Sequence, residues 1–190
     1  MSQQVDASRI PELKDVVSRA LDSARRAGAT QAEADASLQQ GLSVSVRLGE
    51  VETVEYQRDR ALGITVYFGH RKGSASTGDL SAQSVEDMVA KACAIARHTA
   101  EDECAGLADP ALLQTQFRDL QLDFPWELSA DSAVELAREC EAAGRAVDTR
   151  LSNSEGASVS SQRGVRVYGN THGFLAGDCG TSHSLSCVLL

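Results

Sequence analysis

Residues 31–48, QAEADASLQQGLSVSVRL, decide the fold. Ala32, Ala34, Ala36 and Leu38 alternate with Glu33, Asp35, Ser37 and Gln39, and Leu42, Val44, Val46 and Leu48 then alternate with Ser43, Ser45 and Arg47. Period-two alternation puts one set of side chains on each face, so these are strands with one face buried. Gln40–Gly41 reads as a turn between two strands, and Gly49–Glu50 as a second turn. Residues 51–58 and 62–68 continue the meander, with Leu62, Ile64, Val66 and Phe68 sharing a face.

Outward from this stretch the period changes. Ile10, Leu13, Val17, Ala20 and Ala24 recur at helical spacing, with Pro11 in the first turn and Gly28 at the end, so residues 10–27 are expected to be a helix. Asp79–Ser81 opens a second helix whose apolar side carries Val85, Met88, Val89, Ala92, Ile95 and Ala96. Between 101 and 127 the periodicity collapses around Pro110 and Pro125, which predicts a linker with one short helix after Pro110. Ser129 or Asp131 caps a third helix with a stripe at Val134, Ala137, Cys140, Ala143 and Val147. Strands follow near 151–159, 164–168, 174–177 and 182–190, with a hairpin turn at Asn170–Gly173.

Helix followed by antiparallel meander thus occurs twice. The reading is an α+β protein with an N-terminal domain at 1–100, a linker at 101–127 and the start of a second domain at 128–190. The last strand stops in mid-pattern at Leu190, so it is expected to be cut and to continue in a longer protein. Trp126, behind Phe124 and Pro125, is expected to be buried and to pin the third helix.

A hydrophobic content of 42% and a charged content of 24% are ordinary for a globular chain. Only 4% is aromatic, so the core must be aliphatic and rich in alanine. A net charge of −9 argues against direct nucleic-acid binding, which needs a basic face. Arg58, Arg60, His70, Arg71 and Lys72 are the densest basic cluster, read as a solvated loop end or a site for an acidic partner. No segment approaches the roughly 20 apolar residues of a membrane span, and the N-terminus lacks a signal-peptide pattern. Five scattered cysteines are then most simply reduced thiols in the cytoplasm.

No residues form a recognisable catalytic, cofactor-binding or metal-binding set. Neither His70, His98, His172 nor His183 begins a zinc-helix motif. Cys93 and His98 share a helix but point about 140° apart. Cys179, His183 and Cys187, spaced by four, share a strand face, yet each is about 13 Å from the next, too far to share an ion. No nucleophile elbow or phosphate loop occurs, and the glycines of residues 167–177 suit a turn better than a dinucleotide site.

The stretches without generic motifs are distinctive as a set. GLSVSVRLGEVETVE (41–55), ALGITVYFGHRKGSASTGDLS (61–81), GLADPALL (106–113), FPWELSADSAVELA (124–137), SNSEGASV (152–159), VYGNTHGFLAG (167–177) and TSHSLSCVLL (181–190) resemble the PmbA/TldE family in order. The resemblance runs from about residue 28 to the end. It implies a cytoplasmic bacterial protein of twice this length or more. A PmbA/TldE subunit would pair with a TldD-type subunit as a heterodimeric metalloprotease for unfolded peptides. The His-Glu-x-x-x-His helix, its cysteine ligand and zinc or a similar ion would belong to TldD. The family also implies an alternative, a gyrase-binding regulator acting without proteolysis. No catalytic residue carries over to this chain.

Overall fold

The computed structural model describes residues 4–190. Its elements are α1 (Ile10–Arg26), β1 (Gln31–Arg47), β2 (Glu50–Phe68), β3 (Arg71–Thr77), α2 (Ala82–His98), α3 (Ala130–Arg145), β4 (Ser154–Asn170) and β5 (Leu175–Leu189). Short 3-10 turns occupy Ala7–Arg9 and Pro110–Leu112. The α+β class read from the sequence holds, with one five-stranded antiparallel sheet ordered β3-β2-β1-β4-β5.

The expected helices lie where periodicity placed them. The strands are fewer and longer. Residues 32–39 and 42–48, expected to be two strands, are the single strand β1. The alternation keeps its phase through Gln40 and Gly41, because even positions are buried at Ala32–Leu38 and again at Leu42–Val46. An extended chain needs no turn to hold that phase. Gly41 is there for room, since a Cβ would lie 2.9 Å from the Ser161 carbonyl oxygen of β4. Likewise 51–58 and 62–68 are one strand, β2, and the four expected late strands are β4 and β5. The turn at 170–173 is present: Asn170 Oδ1 accepts from His172 N at 3.0 Å and Phe174 N at 3.3 Å.

The chain forms two compact units from interleaved segments. Unit 1 takes the residues up to Leu38, Asp59–Gln121 and Val165–Cys179; unit 2 takes Gln39–Arg58, Leu122–Gly164 and Gly180–Leu190. The contiguous spans 1–100, 101–127 and 128–190 therefore divide the chain differently from its compact units, because the long strands run from one unit into the other.

In unit 1, Leu13, Val17, Ala20 and Ala24 of α1 and Val85, Val89, Ala92 and Ala96 of α2 are buried with Ala32–Leu38, Leu62–Val66, Val165 and Val167. Cys93 belongs to that core, whereas Ile95, expected on the apolar side, is 49% exposed. In unit 2 one helix does the work. Ala133 and Ala137 of α3 meet Leu42, Val44, Val46, Ala157 and Val159.

Of the expected α3 stripe, Ala137 is buried and Val134 and Cys140 are partly buried against the core, but Ala133 and Glu141 are buried as well, and Val147, beyond the helix end at Arg145, is 80% exposed. The β1–β2 turn explains the burial of Glu141. Leu48 and Gly49 both have positive φ, +52° and +83°, as a tight primed hairpin turn requires. Their N–H groups donate to Glu141 Oε1 and Oε2, both at 2.8 Å, and Arg138 Nε donates to the Gly49 carbonyl at 2.8 Å. A buried carboxylate is tolerated because its oxygens are satisfied. Burial alone would push the Glu141 carboxyl up, but hydrogen bonds from Ser154, Leu48 and Gly49, with Arg145 nearby, hold it below its usual range.

Candidate functional site

The helix-free face of unit 1 is polar because the odd positions of β1 carry Glu33 and Asp35 opposite the alanines of the core. Glu33 sits between two tyrosines: Tyr67 donates its hydroxyl to Oε1 at 3.0 Å and Tyr168 to Oε2 at 2.9 Å. Beside them Arg166 pairs with Asp35 at 3.4 Å, and the Thr65 and Ser74 hydroxyls are 2.9 Å apart. Glu33, Tyr168, Asp35, Arg166, Thr65 and Ser74, with Gly63 and Ser76, line an open concavity of about 480 Å³. Burial, then the charge and hydrogen bond of Glu33, push the Tyr67 phenol up to about 12. Tyr168 is also raised, by burial first, against an opposing hydrogen bond from Asn170. Both phenols therefore stay protonated at neutral pH and act as donors. The arrangement suits holding a polar ligand, and it activates no nucleophile.

Unit 2 presents an edge. β3 pairs only with Leu62–Phe68, so the Glu50–Arg58 part of β2 has no described strand on its outer side. Val51 and Val54 there are 42% and 44% exposed, and Tyr56 73%. Hydroxyl pairs, Ser45 with Thr53 at 2.7 Å and Ser160 with Ser184 at 2.9 Å, run across the strands.

The second half of the expected linker is anchored along β5. Thr181 N donates to the Leu122 carbonyl at 2.9 Å, and Phe124 N to Thr181 Oγ1 at 3.0 Å. His183 sits 3.0 Å from both the Phe124 carbonyl, through Nε2, and Ser161 Oγ, through Nδ1. A carbonyl only accepts, so Nε2 carries a proton, and in the neutral ring Nδ1 accepts from the serine. The far side of the imidazole faces main chain and not a carboxylate, so this Ser–His pair lacks the third member of a triad. Trp126 stands edge-on to His183 at 5.5 Å and is 44% exposed. The expectation that it is buried beneath α3 is corrected: it packs on the His183 ring.

The sequence candidates separate. Arg60 and Arg71 lie at opposite ends of the β2–β3 hairpin, roughly 25 Å apart along the strand. They do not form the cluster that their numbering suggested. Arg71 instead meets Glu101 at 3.3 Å. Cys93 is buried in α2 while His98 is exposed at its last turn. Residues 179–187 are strand, as expected. Among the described residues no group of three His, Cys, Asp or Glu side chains converges to hold a metal. No described helix is long and apolar enough to cross a membrane.

Comparison with known proteins gives these features a lineage. Residues 32–96 match the PmbA/TldA metallopeptidase domain 1 and residues 123–190 its central domain. The chain is 50% identical over 187 residues to Metalloprotease PmbA of Escherichia coli O157:H7, covering 98% of this chain and 41% of that protein. It is 46% identical over 179 residues to the Haemophilus influenzae homologue, covering 94% and 40%. It thus spans about two fifths of the length of these relatives. Among solved structures, a candidate modulator of DNA gyrase from Bacteroides thetaiotaomicron superposes with a TM-score of 0.81 at 22% identity, over 95% of this chain and 41% of that one. TldE from Thermococcus kodakarensis gives 0.73 at 17%, over 92% and 39%. At those identities the structures speak for the fold, and it is the sequence relatives and the two domain matches that make this chain a member of the PmbA/TldE family.

Proposed function

We propose that the chain is part of a non-catalytic PmbA/TldE-type subunit that pairs with a TldD-type subunit in the cytoplasm to cleave unfolded peptides. The observation that carries this reading is 50% identity to Metalloprotease PmbA across 98% of the chain. The partner would hold the zinc or similar ion; no donor set among the described residues fits one, so no residue here is assigned to a metal.

The physical contribution of this chain would be to hold substrate. The outer side of Glu50–Gln57, which no described strand covers, offers alternate main-chain N–H and C=O groups, to which an extended peptide adds as a strand. Main-chain pairing is nearly blind to sequence, which suits a protease of unfolded segments.

The test is co-expression of the full-length protein with its TldD-type partner. The two should co-purify, and chelator-sensitive cleavage of an unfolded peptide should require the partner. Chelator-sensitive cleavage by this protein alone would overturn the non-catalytic assignment. Recovery of gyrase without the partner would favour the regulatory alternative.

A further inference from the structure

Two thiols that are 47 positions apart in sequence meet in unit 2. Cys140 lies on α3 and Cys187 on β5, and both are partly buried against the same apolar cluster. α3 approaches β5 closely here. A Cβ at Gly144, one turn after Cys140, would fall 2.7 Å from Leu189 Cδ1 and 3.9 Å from Cys187 Sγ. Cys140, one turn before Gly144 on the same helix face, is thus brought beside Cys187. Neither is in a disulfide. Nothing in the proposed function uses this pair.

We propose that Cys140 and Cys187 are a redox modification site, closing to a reversible disulfide when the protein meets a peroxide. In the first step the Cys140 sulfur attacks a peroxide oxygen, the O–O bond breaks, and one water leaves a sulfenic acid. In the second step the Cys187 sulfur attacks the sulfenic sulfur, the S–S bond forms, and a second water departs. Two thiols are oxidised by two electrons and one hydrogen peroxide is reduced to two waters. Burial, with Cys140 and Glu141 adjacent, pushes the Cys187 thiol up, which fits it for the second, resolving step. The reverse reaction is thiol–disulfide exchange with a reductant.

The experiment is treatment of the purified full-length protein with hydrogen peroxide, alkylation, non-reducing digestion and mass spectrometry. A peptide pair joining residues 140 and 187 should appear, two hydrogens lighter than its parts, and vanish with dithiothreitol. Cys140→Ser and Cys187→Ser should each abolish the link. Cys104→Ser, altered at an exposed thiol, should retain it and so exclude general misfolding as the cause. Full alkylation of both cysteines after peroxide would overturn the proposal. So would links scrambled to Cys93, Cys104 or Cys179, or oxidation that stops at sulfinic acid.

Discussion

Unit 1 and unit 2 use the same strands and bury them very differently. In unit 1, α1 and α2 cover the sheet, and β2 reads buried at Leu62, Ile64, Val66 and Tyr67. In unit 2 the single helix α3 covers the centre, and Glu50–Arg58 of the same β2 is exposed throughout. Burial is therefore not a property of a strand. It belongs to the length of strand that a helix overlies, and period-two patterning fades where no helix does. Unit 1 keeps its polar groups on one face; unit 2 keeps an edge available for pairing.

The sharpest way to break this comparison is within β2 itself. Leu62→Ala, at a fully buried site, should cost about 2–5 kcal/mol in urea unfolding. A cost below about 1 kcal/mol would mean that unit 1 is no better packed than the exposed half.

The anchoring of the β1–β2 turn in unit 2 is the next test. Glu141→Gln keeps the shape but loses charge-assisted hydrogen bonds to Leu48 and Gly49, and should cost about 1–3 kcal/mol at neutral pH. The folded carboxyl lies below its unfolded value, so its contribution is complete above the ordinary glutamate value of 4.5 and is lost as pH falls through the lower folded value. The gap between wild type and variant, followed by denaturation at stepped pH, should close in acid. A gap independent of pH would refute the charge.

In the same turn, Leu48 holds φ +52° without being glycine. Leu48→Asn places the residue preferred in a primed turn and should gain about 1 kcal/mol. Loss of stability would show that the leucine contacts matter more than its backbone.

On the polar face of unit 1, Tyr67→Phe removes one donor to Glu33 and should cost about 0.5–1.5 kcal/mol. The phenol is raised from 10 to about 12 in the fold, so its contribution is present below 10 and is lost as pH rises through about 12. Ultraviolet titration should therefore show late-ionising tyrosine absorbance whose portion near pH 12 is lost in Tyr67→Phe. The smallest effect belongs to Val54→Ala on the exposed half of β2, below about 0.5 kcal/mol. A larger cost there would erase the contrast.

The sequence exposed the helices best, because α1 and α2 each lay one apolar stripe on one core. Strand ends were harder. Gln40–Gly41 reads as a turn by composition, although the unbroken phase from Ala32 to Val46 was the better signal. β3 carries Lys72, Gly73 and Ser74, with no apolar run to announce it. The α3 stripe was incomplete because one buried member is a charged residue, Glu141, whose partners lie 92 and 93 positions earlier. The Glu33–Tyr67–Tyr168 cluster was illegible for the same reason, with separations of 34 and 135 residues. Local patterns show which face a residue takes. They do not show what it meets there.

The long reach of Glu141 also sets a clock for synthesis. The Leu48 amide leaves the ribosome 93 residues before its acceptor. At about 5–20 residues per second, that is roughly 5–20 s during which the β1–β2 turn has no carboxylate to hold it. Neither unit is complete sooner, because unit 1 needs Val165–Cys179 and unit 2 needs Gly180–Leu190. The nascent hairpin thus emerges with both edges bare, in the state most open to a chaperone or to another chain. Slower translation between residues 50 and 141 would lengthen that exposure.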